Sequence, residues 1–414
     1  MSNNLGFKSM EQINLKNKKV LLRLDINSPI DTITKKIVNT NRIDKSLKTL
    51  NYLKNQGAKV AIIAHQGDTL DYQNLIALDE HAQILSDKMG TKVSYIDDVC
   101  GPAAIEKINN LKSGEIVILG NLRYLGEELS SFEQVVKLSD KQMLDTYLVR
   151  SLAPHFDVYI NDAFSAAHRN APSMVAFQKL LPSGAGFLFF NEVSTLSKIM
   201  NNPKKPCIFV LGGAKISDAF SMMEKVLSNN IADKILTCGV TGEVFLIASG
   251  KYLGNKVDNF LKEKGLLDFI KQAKNLLSKY QGRIEMPSDL AYEDNIKRVC
   301  NVVNAKMGDY LYADIGDITI AHYSKIIASA KTIFVNGPAG IYENPILENG
   351  TKEILIAISE SKGFSVIGGG DSVTATMKFT DYKKMDYICT AGGAMVQYLS
   401  GKKLPLISAM ENSI

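Results

Sequence analysis

Short, continuous apolar runs alternate with longer amphipathic segments along most of this 414-residue chain. The runs are rich in Val, Ile and Leu, and strands that are apolar throughout are typical of parallel sheets covered by helices on both faces. The pattern therefore predicts an α/β protein with doubly wound parallel sheets. The predicted strands are 19–26, 59–65, 116–123 and 157–164 in the first half, and 207–213, 234–239, 283–290, 332–337, 364–370 and 387–393 in the second. The predicted helices are 43–56, 74–89, 133–150, 217–228, 257–280, 317–329, 351–361 and 394–400.

The alternation breaks at residues 181–205, where turn residues, one helical stretch and a Pro/Lys/Asn turn follow one another. We interpret residues 186–200 as a helix that connects two α/β domains, residues 1–185 and residues 201–400. A short helix inside one large sheet is the alternative interpretation.

The composition is ordinary for a soluble globular protein. Hydrophobic residues make up 45% and charged residues 22%, and no apolar run approaches the roughly 20 residues that span a bilayer. The net charge of +5 comes from basic residues without a long Lys/Arg block, so the sequence predicts no nucleic-acid partner and is compatible with an anionic substrate. The N-terminus lacks the apolar core of a signal peptide, and the five cysteines are scattered, so we expect a cytoplasmic protein with free thiols.

Polar and basic residues follow the predicted strands of the first half. In doubly wound sheets, ligands bind outside the carboxyl ends of the strands. Arg presents a planar fork of donors to phosphate or carboxylate, and a helix N-terminus adds its own attraction for anions. Any one of these residues alone is equally well an ordinary surface charge or a loop cap, but together they predict a pocket for a small anion. The candidates are Asp25, Asn27, Arg42, His65, Arg123 and Arg169.

Glycines follow the predicted strands of the second half. Glycine lets the backbone approach a ligand closely, and each loop leads into a helix whose first N–H groups can hold phosphate. Strand-to-helix turns often need glycine for their own geometry. That need readily explains glycine in one loop, but it is a weak explanation for glycine in several loops. Asp371, just after a triple glycine, is placed to meet a metal ion that bridges phosphates. The glycine candidates are Gly212, Gly213, Gly239, Gly368, Gly369 and Gly370.

The stretch "FVLGGAKISD" (209–218) begins like a phosphate loop, yet the spacing G-x-x-x-x-G-K-[ST] is absent from the chain. We therefore assign Lys215 to a nucleotide site spread over several loops. A nucleotide site in one half and an anion pocket in the other indicate group transfer between two ligands. Phosphoryl transfer fits best, since its catalysis is mostly positioning and charge stabilisation by Lys, Arg and Mg²⁺.

Several motifs, in order along nearly the whole chain, resemble those of the phosphoglycerate kinase family. They are "VLLRLDINSPI" (20–30), "YINDAFSAAHRNAPSM" (159–174), "LGGAKISD" (211–218), "NGPAGIYE" (336–343), "GGGDSVTA" (368–375) and "TAGGAMVQYLSGKKLP" (390–405). The resemblance implies two Rossmann-like domains joined by a hinge helix, a monomer, and a C-terminal tail (401–414) that packs on the N-terminal domain. It implies transfer of a phosphoryl group between 1,3-bisphosphoglycerate and ADP, with Mg²⁺.

The resemblance also implies a role for each candidate residue. The phosphoglycerate would be held by the six candidates of the first half, with Arg42 and Lys215 neutralising the transferring phosphoryl group. Glu343 would bind the ribose and Asp371 the Mg²⁺. The nucleotide set is Gly212, Gly213, Lys215, Gly239, Asn336, Pro338, Glu343, Gly368, Gly369, Gly370, Asp371 and Ser372.

Three positions depart from the family's pattern and leave alternatives open. Asp68 stands where the family has a substrate-binding Arg, Gly120 where it has Glu, and Ala219 where it has a second Lys. Each lost charged hydrogen bond is worth about 1.5–3 kcal/mol. The departures are compatible with a divergent phosphoglycerate kinase, with a paralogue that acts on another small carboxylate, or with a nucleotide-binding protein that has little catalysis.

Overall fold

The protein was analysed as a computed structural model that describes residues 5–67, 75–304 and 307–414. The chain divides into two compact units, and the division falls at Ser194/Thr195, inside one helix. The last residues, Lys403–Ile414, belong to the first unit. Among the described residues, none of the helices has the length and apolarity that crossing a membrane requires.

The first unit contains a six-stranded parallel sheet in the order β3-β4-β2-β1-β5-β6. Its strands are β1 (Lys19–Arg23), β2 (Lys59–Ile63), β3 (Val93–Tyr95), β4 (Ile116–Ile118), β5 (Val158–Asn161) and β6 (Ser183–Ala185). Its helices are α1 (Asn41–Asn55), α2 (Asp79–Met89), α3 (Pro102–Asn109), α4 (Ser130–Val136), α5 (Asp140–Leu144), α6 (Tyr147–Leu152) and α7 (Pro172–Val175). The central strand is apolar because both faces are covered: Val20, Leu21 and Leu22 are fully buried.

From β1 the chain continues toward one edge of this sheet, and from its neighbour β5 it continues toward the other. Such a change of direction opens a crevice at the carboxyl ends of the two strands, where ligands of doubly wound sheets bind. The β1/β5 crevice is therefore the expected site of the first unit.

Helix α8 (Phe187–Asn201) follows β6 and contains the boundary between the units. The second unit has the strands β7 (Cys207–Leu211), β8 (Lys234–Thr237), β9 (Ile284–Glu285), β10 (Asp289–Asp294), β11 (Lys297–Val302), β12 (Asp314–Ile315), β13 (Thr332–Asn336), β14 (Phe364–Gly368) and β15 (Tyr387–Ile388). Its helices are α9 (Ile216–Ser228), α10 (Gly239–Ala248), α11 (Asn255–Glu263), α12 (Asp268–Lys279), α13 (Asp317–Ser329), α14 (Asn349–Glu360), α15 (Gly370–Phe379) and α16 (Gly393–Leu399).

The main sheet of the second unit is also parallel and six-stranded, in the order β15-β14-β13-β7-β8-β9. Its direction changes between β7 and β13, so the expected crevice lies at the ends of these strands. A second, three-stranded sheet, β11-β10-β12, is antiparallel. The fold class predicted from the sequence, two doubly wound parallel-sheet domains, is thereby confirmed.

The last helix, α17 (Pro405–Glu411), returns to the first unit. It packs on α7, the Leu406 N–H donates to the Ala167 carbonyl at 3.2 Å, and the Ile414 N–H donates to the Gln178 carbonyl at 3.3 Å. The end of the chain is thus part of the first unit's structure.

Candidate active site

At the β1/β5 crevice, four cationic or imidazole side chains meet; we call Arg23, His65, Arg123 and Arg169 the basic cluster. They line a cavity of only about 10 Å³, roughly the space of one water molecule. Arg23, the last residue of β1, donates from Nη2 to His65 Nδ1 at 3.1 Å. The cluster is therefore packed side chain against side chain rather than around a large opening.

His65 is neutral in this cluster. Burial lowers its pKa well below the ordinary value, and the charges of Arg23 and Arg123 lower it further. A guanidinium can only donate, so His65 Nδ1 accepts from Arg23 and the imidazole proton is on Nε2. His65 can therefore act as a hydrogen-bond donor to an anion without being charged.

One carboxylate and one backbone carbonyl hold Arg123 and Arg169 in place. Arg169 Nε donates to Glu133 at 2.6 Å, and the Glu128 carbonyl accepts from Arg123 at 3.0 Å and from Arg169 at 3.2 Å. The Glu128 side chain accepts from the N–H and the hydroxyl of Ser173 at 2.7 and 2.6 Å. Burial raises the pKa of Glu128, and hydrogen bonds from Ser173 and the charge of Arg23 oppose that rise.

A second chain of contacts begins at Asp25, which is buried just after β1. Asp25 accepts from Arg42 Nη1 at 2.7 Å and from the Asn27 N–H at 3.1 Å. Asn27 in turn accepts from the Gly67 N–H at 3.0 Å. Arg42 lies in the first turn of α1 with 40% of its side chain exposed, so its guanidinium is oriented by Asp25 and still open to a ligand.

In the second unit, the loops after β7, β8 and β13 pack tightly on one another. The Gly213 N–H donates to the Pro338 carbonyl at 2.8 Å, and the Gly239 N–H donates to the Ala339 carbonyl at 3.1 Å. Gly337 has φ +88°, and a Cβ added there would lie 2.1 Å from the Gly212 carbonyl oxygen. At these positions glycine permits the close approach of loop to loop, and the N–H groups of Gly213 and Gly239 are engaged in that packing.

Asn336 and Ser372 brace the same loops. Both are buried, and Ser372 Oγ accepts from the Gly337 N–H at 2.8 Å. A Cβ on Gly369 would lie 2.5 Å from the Asn336 side-chain oxygen, and one on Gly368 would lie 2.3 Å from a methionine sulfur. These predicted nucleotide residues therefore hold the loops after β13 and β14 in place.

A cavity of about 320 Å³ opens beside these loops; we call it the second-unit cavity. This volume is within the range of small-ligand sites. Predicted residues on its wall are Gly213, Gly239, Pro338, Glu343 and Asp371.

Two charged candidates stand exposed at the starts of helices. Lys215 immediately precedes α9, and Asp371 is in the first turn of α15. Helix N-termini attract anions, so Lys215 and the two helix starts can stabilise phosphate charge. A Cβ added to Gly370, the first residue of α15, would meet nothing within 4 Å outside its own helix.

The sequence analysis missed Arg23, Glu128 and Glu243 as site residues. Two of them could have been noticed in the sequence, because Arg23 interrupts an apolar strand and Glu243 lies within the apolar stretch of α10. In the structure, Glu243 lines the second-unit cavity. Glu128 stands in an ordinary polar segment, and nothing in its sequence context distinguishes it.

Of the three departures, Asp68 lies outside the described residues. Gly120 is closely packed, because a Cβ there would lie 3.1 Å from the backbone of Asp98 and Val99. Ala219 is buried on α9. Neither position leaves room for the longer charged side chain of the family without adjustment of its neighbours.

The sequence and the fold are similar to those of known proteins. The family model described as phosphoglycerate kinase matches residues 10–402. A phosphoglycerate kinase of Methanothermus fervidus is 42% identical over 407 residues, 98% of this chain and 97% of that protein; one of Methanobacterium bryantii is 40% identical over 406 residues, with the same shares. The crystal structure of phosphoglycerate kinase from Pyrococcus horikoshii superposes with a TM-score of 0.86 at 38% identity, covering 97% of this chain and 98% of that one.

Proposed function

The chain belongs to the phosphoglycerate kinase family, and on that premise we propose how its residues share the reaction. It is a phosphotransferase with a carboxyl group as acceptor, and it transfers a phosphoryl group between 1,3-bisphosphoglycerate and ADP to give 3-phosphoglycerate and ATP. The match over residues 10–402 does not favour a paralogue for another acid or a binding protein with little catalysis.

The first unit binds the phosphoglycerate in this proposal. Asp25, Asn27, Arg42, His65, Arg123 and Arg169 form its site. The observation that carries the assignment is the set of oriented donors at the β1/β5 crevice, above all the 2.7 Å contact by which Asp25 aligns Arg42. Donors that are already in position stabilise developing negative charge without reorganising.

The second unit binds the nucleotide. The second-unit cavity takes the nucleoside, with Glu343 on the ribose, and the phosphates lie toward Lys215 and the starts of α9 and α15. Lys215 and Arg42 neutralise the phosphoryl group during transfer, which is the main requirement of this chemistry.

Mg²⁺ would enter with the nucleotide and be held by Asp371. A single exposed carboxylate together with phosphate oxygens is a usual ligand set for this ion. Within the part of the chain that the structure describes, no group of three His, Cys, Asp or Glu side chains is arranged to hold a metal. When bound, the ion supplies positive charge to the phosphate oxygens.

The test is a coupled assay with 3-phosphoglycerate and MgATP, beside a calorimetric titration with ADP. Turnover with 3-phosphoglycerate supports the proposal. Nucleotide binding with turnover only on another carboxylate, or with no turnover at all, would contradict it.

The family resemblance further suggests a monomer in the cytoplasm. Light scattering after size-exclusion chromatography and fractionation of the source cells test these two points.

A further inference from the structure

The second unit has a further cavity, of about 240 Å³, at the edge of its main sheet opposite the loops after β7 and β13; we call it the lysine pocket. Its wall consists of the last turn of α8, the segment after that helix and the starts of β13, β14 and β15, all within the second unit. β13 is five residues long, so roughly 16 Å of strand lie between the pocket and the loop after β13. The charged residues that line the pocket are Lys198, Lys204, Lys331, Lys362 and Asp386.

The positive charge of this pocket is not balanced by its surroundings. Among the described residues no ion pair is found for any of its four lysines, whereas the neighbouring Lys205, which does not line the pocket, pairs with Asp233 at 3.3 Å. The carboxylate of Asp386 already accepts from the N–H and the hydroxyl of Ser365 at 2.8 and 3.1 Å. Like charges gathered in a concave surface repel one another and concentrate counter-ions, so the pocket favours an anionic ligand.

The backbone that carries these lysines is held in place. Thr332 Oγ1 donates to the Lys204 carbonyl at 2.8 Å. The Phe364 N–H donates to the Lys331 carbonyl at 2.9 Å. The ammonium group of Lys198 lies 3.7 Å from the centre of the Phe364 ring, which is a cation–π contact. The attachment points of the lysines are therefore fixed, and a ligand has only the ends of the side chains to order.

Charge and volume indicate the class of anion. Four lysines against one aspartate give the pocket a net charge of +3, and each ammonium group is a compact point charge with three donors, which suits phosphate oxygens. A single phosphate group carries a charge of only about −1.5 to −2 at neutral pH, so a chain of two or three phosphates matches the pocket better. The volume is below the roughly 300 Å³ at which sites for drug-sized ligands begin, so the ligand is compact.

We propose that the lysine pocket is a binding site for a compact oligophosphate, whose oxygens pair with the ammonium groups of the four lysines. No residue of the pocket has a role in the proposed function, so the two proposals can fail independently. Because the pocket and the loops that face the nucleotide lie at opposite edges of the sheet, oligophosphate and substrates can be bound at the same time.

The experiment is a calorimetric titration of the full chain with sodium tripolyphosphate at low ionic strength. Saturating 3-phosphoglycerate and ADP are present, without Mg²⁺, so that the two proposed substrate sites are occupied. The test variant is the double substitution Lys331→Ala/Lys362→Ala. We expect it to bind tripolyphosphate about 100-fold more weakly than the wild type, because each lost charged contact costs a factor of about ten or more.

The matched control is Lys271→Ala/Lys274→Ala, which removes two exposed lysines of α12 and leaves the pocket intact. The control loses the same net charge, and we expect its affinity to stay within about threefold of the wild type because distant exposed charges are screened. Inorganic phosphate carries fewer charges, and we expect it to bind the wild type at least about tenfold more weakly than tripolyphosphate. An equal loss of affinity in the two double variants, or equal affinities for phosphate and tripolyphosphate, would overturn the inference.

Chemical labelling of individual lysines gives a second measurement, on the wild type alone. Acetic anhydride modifies exposed lysines, and mass spectrometry reports the extent of modification at each one. Tripolyphosphate should lower the modification of the four pocket lysines and leave that of Lys271 and Lys274 unchanged. Undiminished modification in the pocket would contradict the inference even if a double variant failed to fold. Failure of the proposed function looks different, because the coupled assay would then show no turnover while the pattern of protection stays the same.

Discussion

The two crevices occupy equivalent places in two similar sheets. One is built mainly from side chains, and the other mainly from backbone. The site of the first unit consists of charged side chains that hold one another: Asp25 holds Arg42, and Glu133 holds Arg169. The site of the second unit consists mainly of backbone, with Gly213 and Gly337 packed against neighbouring loops. In the proposed function, the donors of the first crevice bind a compact anion, and the cavity of the second binds a larger ligand.

Because of this difference, we expect the two sites to be sensitive to different kinds of substitution. A site made of mutually held charges should respond to changes of charge, whereas a site made of packed loops should respond to added volume. The predictions below test that contrast, in order of expected effect.

Gly337→Ala should have the largest effect. Its Cβ would lie 2.1 Å from the Gly212 carbonyl oxygen, at a φ of +88° that side chains disfavour. Overpacking and backbone strain each cost about 1–3 kcal/mol, so we expect the free energy of unfolding to fall by about 4 kcal/mol, measured by urea denaturation. Gly126→Ala, where a Cβ meets nothing within 4 Å, is the control and should change stability little. Equal stability of the two variants would refute loop packing as the role of Gly337.

Lys215→Ala tests whether the backbone-built site nonetheless depends on one charge. Lys215 is exposed at the start of α9, so its removal should leave the melting temperature unchanged. We expect kcat to fall about 10²–10³-fold, the usual cost of removing one donor to developing charge. Lys325→Ala, an exposed lysine of α13, serves as the control for loss of a surface charge. A kcat near that of the wild type would remove Lys215 from the mechanism.

Asp162→Asn compares buried carboxyls across the units. Burial raises the pKa of Asp162 to about 7, so the folded state binds a proton that the unfolded state has released above pH 4. Wild-type stability should therefore decrease as pH rises toward 7, by about 1.4 kcal/mol per pH unit from this group, and Asn removes that slope. From pH 5 to pH 8 we expect the variant to gain about 3 kcal/mol relative to the wild type in urea denaturation.

The second unit supplies the counterpart, Asp314, whose pKa burial also raises to about 7. Asp314 accepts from the Gly350 N–H at 2.8 Å and faces Arg298 at 3.4 Å. At pH 8 the free energy of unfolding should therefore rise less in Asp314→Asn than in Asp162→Asn, because Asp314→Asn also loses the attraction to Arg298. A larger rise in stability for Asp314→Asn than for Asp162→Asn would contradict this prediction.

Asp68→Arg has the smallest expected effect. If the carboxylate of Asp68 points into the anion pocket, this substitution restores one charged hydrogen bond and tightens 3-phosphoglycerate binding about 10- to 100-fold, with no change in nucleotide affinity. If the carboxylate of Asp68 instead turns away from the pocket, the variant keeps its affinity for 3-phosphoglycerate. Calorimetric titration beside a melting curve distinguishes the two outcomes.

Most of the architecture could be predicted from the sequence because long apolar runs dominate it. Each predicted run contains a strand of one of the two parallel sheets. β3 and β6 were missed because "VSY" and "SGA" are short and neither is a continuous apolar run. α10 was missed because it is apolar on nearly every side. The predicted helix 133–150 is three shorter helices, with Lys137 at φ +48°, and 257–280 is two, separated at Gly265 with φ +66°.

The candidate site was less predictable because the local sequence does not show which side chains are buried or which of them form ion pairs. Arg42 was a candidate because it opens a predicted helix, and Asp371 because it follows the glycines at a strand end. Neither position indicated that Asp25 orients Arg42. The alternation pattern also gave no sign of the hairpin β10–β11, whose turn places Asn295 and Ile296, neither of them glycine, at positive φ.

The return of α17 to α7 has a consequence for the order of synthesis. Residues 195–402, the second unit, lie between the bulk of the first unit and its last helix. During translation the second unit therefore leaves the ribosome before the first unit possesses α17. A nascent chain that ends after α16 exposes the face of α7 that α17 later covers, and the first unit gains this cover only after the whole second unit has been synthesised.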